Sequence, residues 1–217
     1  MSLAIPSLKG RSLLTLTDWS DAECAQVLEL AARLKARKKA GRRDRLLDGR
    51  HVALIFEKSS TRTRCAFVVA AADEGATAEY LGVQDIHFGR KETVADSARV
   101  LGRFFDGIAF RGFSQETVVQ LARYSGVPVW NALTDEWHPT QVLADLMTVR
   151  ERFGRLAGLT FVYVGDGRNN VVNSLMFGCS RFGMRFVNCT PPELAPAPDL
   201  VAKARAQARD GGTVEVI

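Results

Sequence analysis

The stretch that best suggests chemistry lies between two apolar segments and is rich in groups that bind anions. It reads "SSTRTR" and follows the apolar run "HVALIF", His51–Phe56. Its hydroxyl and guanidinium groups come from Ser59, Ser60, Thr61, Arg62, Thr63 and Arg64. A helix start attracts negative charge, and guanidinium forks suit phosphate oxygens. The alternative is a capped helix whose arginines point to water, and this stretch alone does not separate the two interpretations.

Later junctions of the same kind supply further polar groups. Arg111 ends the apolar segment "GIAFR", whereas His138 and Gln141 follow "PVWNAL". His87 lies in a long polar loop after "ATAEYL", over residues 82–93, which we expect to be poorly anchored by apolar side chains. Ligands of open α/β sheets bind beyond the carboxyl ends of the strands, so these groups are expected on one side of a sheet. Together they favour an anion site, although His138 or His87 alone would be an ordinary structural residue.

Strand-like and helix-like segments alternate along the whole chain. Ser20 and Glu23 predict a capping box at the first helix, Gly154 predicts the end of a later helix, and the last helix is expected over residues 199–210. The pattern predicts an α/β protein with two parallel-sheet domains and helices on both faces of each sheet. The first domain is expected over residues 1–150 and the second over residues 151–217. The last segment, "TVEVI", is an apolar strand that ends at Ile217. We therefore expect the second domain to be incomplete.

Charge and composition favour a protein of the cytoplasm. The net charge of the 217 residues is +5, and the run Arg33–Arg50 alone holds nine basic and two acidic residues. No aromatic residue or nucleic-acid motif accompanies the run, so we predict a solvated surface and no nucleic-acid partner. No apolar run is long enough to span a membrane, and the N-terminus does not resemble a signal peptide. We expect no membrane partner.

Two classes of cofactor are disfavoured by residue spacing. The four cysteines and three histidines form no metal-ligand pattern, which predicts no metal site. The loop "GDGRNN" sits between a strand and a helix, as in dinucleotide-binding proteins. However, Asn170 replaces the third glycine, and the next strand ends in "VNC" with no acidic residue for a ribose. We predict no cofactor.

Five segments, in order, resemble the signatures of ornithine carbamoyltransferases. They are "SSTRTR", "KET", "FRGF", "WNALTDEWHPTQVLADLMT" and "GDGRNNVVNSL". The motifs "STRTR" and "HPTQ" are shared with aspartate carbamoyltransferases. The segments "FEK", "WNALTDEWHPTQ" and "GDGRNN" are typical of the ornithine branch instead. The resemblance extends over essentially the whole chain.

The resemblance implies that residues 1–150 bind carbamoyl phosphate and that residues 151–217 begin an ornithine-binding domain. It implies that the phosphate is held by one group of residues, which are Ser60, Thr61, Arg62 and Thr63. Arg111 would bridge the phosphate and the carbonyl oxygen, and His138 would donate a hydrogen bond to that oxygen. Arg111 and His138 are thus the expected catalytic residues.

Three further roles are implied by the resemblance. Gln141 would hold the carbamoyl nitrogen, and Asn170 would contact ornithine. His87 would reach the site of a neighbouring subunit in a homotrimer or a multiple of trimers. The reaction would give citrulline and phosphate. It needs positioned cations and donors rather than a covalent nucleophile or a metal.

Several alternatives stay open at this stage. Members of the family continue beyond the position of Ile217, with further loops for ornithine and the carbamoyl group. We therefore expect a piece of a longer enzyme, without a complete active site. The acceptor could instead be aspartate, putrescine or acetylornithine, or the chain could be a non-catalytic binder of carbamoyl phosphate. The sequence does not separate arginine biosynthesis from the catabolic direction.

Overall fold

A computed structural model describes residues 8–89 and 91–217 of the chain. Two compact units divide them: residues up to Leu14 with Glu29–Thr134, and Thr15–Leu28 with Asp135–Ile217. Each unit contains one parallel sheet accompanied by helices. The predicted α/β class with two parallel sheets is therefore confirmed.

The first unit is built around a four-stranded sheet. Helix α1 (Asp21–Lys39) precedes the strands, and its residues are divided between the two units. The remaining elements are β1 (His51–Phe56), α2 (Thr61–Asp73), β2 (Thr77–Gly82), α3 (Val94–Phe104), β3 (Gly107–Arg111), α4 (Gln115–Tyr124) and β4 (Val129–Leu133). The strand order is β2-β1-β3-β4. Phe56 pairs with both Gly82 and Arg111, so three strands end at the same level.

Helices cover both faces of this sheet. Ala53, Ile55 and Phe110 lie on one face, in a buried cluster with residues of α3 and α4. Leu54 and Phe56 lie on the other face, where Phe67 of α2 packs against them. Burial on both faces explains why β1 is a continuous apolar run rather than an alternating one.

The loop between β2 and α3 differs from its prediction. The sequence indicated a polar loop, Gly82–Thr93, with poor apolar anchoring. Phe88 is instead buried, with its ring centroid 6.3 Å from that of Phe110, and Val83 and Ile86 pack against the same core. The expectation of poor anchoring is wrong, because three apolar side chains turn inward from a stretch that looks polar on average.

The second unit has a three-stranded parallel sheet in the order β5-β6-β7. Its elements after Thr134 are α5 (Pro139–Phe153), β5 (Thr160–Val164), α6 (Asn170–Arg181), β6 (Arg185–Cys189), a 3₁₀ helix (Pro192–Leu194), α7 (Pro198–Ala206) and β7 (Thr213–Val216). Helix α6 is its most buried element, and every residue from position 172 to 180 is buried. Gly154 ends α5 with a φ of 72°, as its glycine predicted.

The basic run lies at the end of α1 and in the exposed turns that follow. Arg43 pairs with Asp73 at 3.3 Å, and Lys38 pairs with the same carboxylate. Arg50 pairs with Asp106 at 2.6 Å. Acidic groups of the first unit thus neutralise part of the run. In the described ranges, no helix combines the length and apolar character needed to cross a membrane.

Candidate functional site

Ser60 caps helix α2, after a short connection from the end of β1 at Phe56. Its φ of −162° and ψ of 115° are extended, and its Oγ accepts a hydrogen bond from the Thr63 N–H at 3.3 Å. The Ser60 hydroxyl donates to Thr63 Oγ1 at 3.0 Å. The capped-helix interpretation is therefore correct for Ser60. It does not exclude the anion site, because Thr61 and Arg62 of the first turn remain exposed.

Arg111 reaches the same helix start from the end of β3. Its Nη1 donates to Thr63 Oγ1 at 3.4 Å. Thr63 Oγ1 thus accepts two hydrogen bonds, and the hydroxyl hydrogen of Thr63 remains available to donate. The structure therefore brings Ser60, Thr63 and Arg111 together, as the sequence predicted.

The guanidinium of Arg111 carries a buried donor. Its Nε has no hydrogen-bond partner in the described ranges. The pKa of Arg111 is lowered, first by desolvation and then by the positive charge of Arg62. A buried donor without an acceptor lowers the stability of the fold, and so does the repulsion between two guanidinium groups. An anion at this position would relieve both costs.

Backbone contacts fix the strand end that carries Arg111. The Glu57 N–H donates to the Arg111 carbonyl at 2.8 Å, and the Phe113 N–H donates to Glu57 Oε2 at 2.9 Å. The pairing of β3 with β4 shifts register between Phe110 and Arg111, a type of irregularity that re-aims a side chain. Glu57 thus positions the Arg111 backbone, a role that the sequence did not suggest.

The two arginines that the sequence treated alike have different surroundings. The Arg64 guanidinium carbon lies 3.8 Å from the ring centroid of Tyr80, so this side chain stacks on a residue of β2. Arg62 is exposed, and its charge acts on Arg111. Arg62 is therefore the better candidate for an anion ligand, and Arg64 is a packing residue.

The helices that begin at candidate residues share an electrostatic feature. Helices α2, α5 and α6 have no acidic residue in their first turns. Helices α1, α3, α4 and α7 each have at least one. An acidic side chain would compete with an anionic ligand for the partial positive charge at a helix start. The three candidate helix starts are therefore each suited to an anion.

In the second unit, a buried serine joins two helix starts. His138 caps α5, and its N–H donates to Ser174 Oγ at 2.8 Å. The Ser174 hydroxyl donates in turn to the Asn170 carbonyl, the first residue of α6, at 2.9 Å. Ser174 therefore brings the backbones of His138 and Asn170 together. The sequence did not single out Ser174.

Gln141 lies exposed in the first turn of α5. Its Nε2 donates to Asp145 Oδ1, one helical turn later, at 2.9 Å. Burial raises the pKa of the Asp145 carboxyl, and the hydrogen bond from Gln141 opposes that shift. The amide of Gln141 is thus held in one orientation.

His87 lies apart from these contacts. It is exposed beside the buried Phe88, and it has no hydrogen bond to a candidate ligand residue in the described ranges. Within the same ranges, no group of three or more His, Cys, Asp or Glu side chains could hold a metal ion. Arg62, Thr63 and Arg111 supply cations and a hydroxyl donor at the start of α2, which suit a small anionic ligand.

Comparison with protein families finds two matches that cover most of the chain. Residues 11–151 match the carbamoyl-P binding domain of aspartate/ornithine carbamoyltransferases. Residues 157–217 match the Asp/Orn binding domain of the same family.

Individual relatives agree with these matches. A catabolic ornithine carbamoyltransferase of Bacillus licheniformis is 55% identical over 206 residues, which are 95% of this chain and 62% of that protein. One from Bacillus cereus is 57% identical over 205 residues, or 94% of this chain and 62% of that protein. The chain thus spans less than two thirds of the length of these relatives.

Solved structures show the same fold. The ornithine carbamoyltransferase of Pyrococcus furiosus has a TM-score of 0.94 and 44% identity, covering 97% of this chain and 67% of that one. An aspartate transcarbamoylase of Trypanosoma cruzi has a TM-score of 0.90 and 26% identity, covering 100% of this chain and 72% of that one. The two family matches follow one another along the chain, and the two relatives are more than half identical to it. The chain therefore belongs to the aspartate/ornithine carbamoyltransferase family.

Proposed function

We propose that the protein containing this chain transfers the carbamoyl group of carbamoyl phosphate to the side-chain amine of ornithine, giving citrulline and phosphate. The observation that carries the proposal is the buried Nε of Arg111, which has no partner among the described residues and lies beside Thr63 and the charge of Arg62. Relatives more than half identical to the chain are named ornithine carbamoyltransferases, which supports ornithine as the acceptor.

In this proposal, the start of α2 binds the phosphate group through Ser60, Thr61, Arg62 and Thr63. Arg111 bridges a phosphate oxygen and the carbonyl oxygen, and His138 donates to that carbonyl oxygen. Gln141 accepts a hydrogen bond from the carbamoyl nitrogen. Asn170 contacts the amino-acid end of ornithine.

The chemistry follows from these roles. The neutral amine attacks the carbonyl carbon, a C–N bond forms, and the C–O bond to phosphate breaks. Negative charge develops on the carbonyl oxygen and then on the departing phosphate, where Arg111 and Arg62 stabilise it. The free amine has a pKa of about 10, so a proton must be lost before or during the attack. The departing phosphate is the acceptor that we propose for that proton.

We propose that this chain contains two domains, residues 1–150 and 151–217. The family matches break between residues 151 and 157, which supports a boundary near Arg150. The compact units divide earlier, between Thr134 and Asp135.

The relatives described above are named catabolic enzymes, so we favour arginine catabolism over the biosynthetic alternative. We propose that the protein acts in the cytoplasm.

A panel of acceptors tests the proposed reaction. The protein containing this chain is incubated with carbamoyl phosphate and ornithine, aspartate, putrescine or acetylornithine, and the carbamoylated product is quantified. We expect citrulline from ornithine and little product from the other three amines. Faster turnover of aspartate than of ornithine would contradict the assignment to the ornithine branch.

For the assembly we propose a cyclic homotrimer in which His87 of one subunit completes the anion site of the next. The anchored loop exposes His87, which fits a contact outside its own subunit. Two inactive variants, His87→Ala and Arg62→Ala, are expected to regain activity when their subunits are mixed, because some sites then contain both native residues. Light scattering should give three times the subunit mass. A monomer, or mixed trimers without activity, would refute the shared site.

A further inference from the structure

The carboxylate of Asp145 is partly removed from solvent without a cation beside it in the described ranges. It is half-buried on α5, and its only hydrogen-bond partner within residues 8–89 and 91–217 is Gln141 Nε2, at 2.9 Å. No lysine or arginine of the same ranges pairs with it. The titratable group on the neighbouring helix is the buried thiol of Cys179, whose pKa is raised by burial and by the charge of Asp145. A partly desolvated carboxylate without a cation costs stability, which points to a use beyond packing.

The hydrogen bond to Asp145 fixes the positions of the NH₂ group and the oxygen of the Gln141 amide. A carboxylate can only accept hydrogen bonds, so the NH₂ group of Gln141 must face Asp145. The opposite end of the amide, Oε1, is then fixed as an acceptor. Because Gln141 is exposed, that acceptor is available to a ligand.

We propose that Asp145 is a positioning residue that makes Gln141 present an acceptor, and thereby selects a carbamoyl NH₂ group over acyl phosphates that lack an N–H donor. The inference rests on the proposed function, in which Gln141 meets the carbamoyl nitrogen. Without Asp145, the amide can turn over and present its own NH₂ group to the ligand. A site built around a hydrogen bond rejects analogues that cannot make it, so acetyl phosphate is the informative competitor.

A merely structural role for Asp145 gives a different expectation. Side-chain pairs four residues apart on a helix surface stabilise the helix modestly. Loss of such a pair would lower stability and would affect all ligands of the site alike. Ligand selectivity therefore separates the two roles, whereas stability does not.

Calorimetric titration measures the affinity of the protein for carbamoyl phosphate, acetyl phosphate and inorganic phosphate. In Asp145→Leu, which has a similar shape but no acceptor, we expect carbamoyl phosphate to bind about threefold to tenfold more weakly. Acetyl phosphate and phosphate should bind as in the wild type. Asp145→Asn keeps one oxygen acceptor and should give an intermediate loss. Thr148→Ala is the matched control and should change none of the three affinities. The Thr148 hydroxyl donates to the Ala144 carbonyl on the same helix, at 2.8 Å.

Gln141→Ala separates failure of the inference from failure of the proposed function. If Gln141→Ala loses the preference for carbamoyl phosphate but Asp145→Leu keeps it, the inference is overturned and the proposed function stands. If Gln141→Ala keeps that preference, the proposed role of Gln141 falls and the inference falls with it. The double variant should bind no more weakly than Gln141→Ala alone. If Asp145→Leu does not fold, as judged by circular dichroism, the loss in Asp145→Asn decides the question.

Discussion

Replacing Arg111 by leucine is expected to remove most of the affinity for phosphate and carbamoyl phosphate. Arg111 offers a buried Nε donor beside the start of α2. A hydrogen bond to a charged group contributes about 1.5–3 kcal/mol, so loss of one such bond weakens binding roughly tenfold to a hundredfold. The fold should tolerate leucine, because the change also removes a half-buried charge that Arg62 repels. Calorimetric titration with each ligand measures the effect.

Two neighbouring variants make this prediction specific. Arg111→Lys keeps the positive charge but loses the planar fork, so its affinity should lie between those of the wild type and Arg111→Leu. Arg64→Ala removes an arginine of the same motif that stacks on Tyr80. Its affinity should stay close to that of the wild type. An equal loss in Arg64→Ala and Arg111→Leu would mean that general charge, rather than the site at Arg111, attracts the anion.

The substitution Gly102→Ala is expected to destabilise the first unit strongly. A Cβ at Gly102 would lie 1.8 Å from the Ser125 carbonyl oxygen and 2.7 Å from its carbonyl carbon. Both are backbone atoms at the end of α4, so a side-chain rotation cannot relieve the clash. Helices α3 and α4 would have to separate over the buried residues Ala98 and Leu121. Overpacking of this kind typically lowers the free energy of unfolding by about 1–3 kcal/mol, and a clash with backbone atoms places Gly102→Ala at the upper end of that range.

The matched control for this variant lies one residue away. Arg103 is exposed on the same helix, and Arg103→Ala should change stability by less than about 0.5 kcal/mol. Urea unfolding of the three proteins gives their midpoints, provided that the slopes agree. Midpoints that coincide for the two variants would show that α3 and α4 do not pack this closely at Gly102.

Most of the fold could be predicted because local patterns and tertiary structure agree. Strand β3 coincides with the predicted segment "GIAFR", and Ser20 forms the predicted capping box with Glu23. Helix α7 was predicted to continue to Asp210 but ends at Ala206. There the Arg209 N–H donates to the Ser180 carbonyl of α6. A contact between distant segments ends the helix, and no local pattern encodes it.

The parts of the site that lie within a sequence motif could be predicted. The parts that depend on contacts between distant segments could not. Arg111 and the start of α2 were expected on one side of the sheet, and they lie in contact there because parallel strands end at one level. The stacking of Arg64 depends on the neighbouring strand, which the motif does not contain. Glu57, Asp145 and Ser174 act through hydrogen bonds that appear only once the chain is folded. The roles assigned to His138, Gln141, Asn170 and His87 in catalysis and binding stay predictions.

The location of bound phosphate tests the central claim most directly. Crystals of the protein grown with inorganic phosphate, or with a stable analogue of carbamoyl phosphate, would show the anion in density. We expect phosphate oxygens within hydrogen-bond distance of Thr63 Oγ1 and of the Arg111 guanidinium, at the N-terminus of α2. Density for the anion elsewhere, with Arg111 Nε still unpartnered at a saturating ligand concentration, would contradict it.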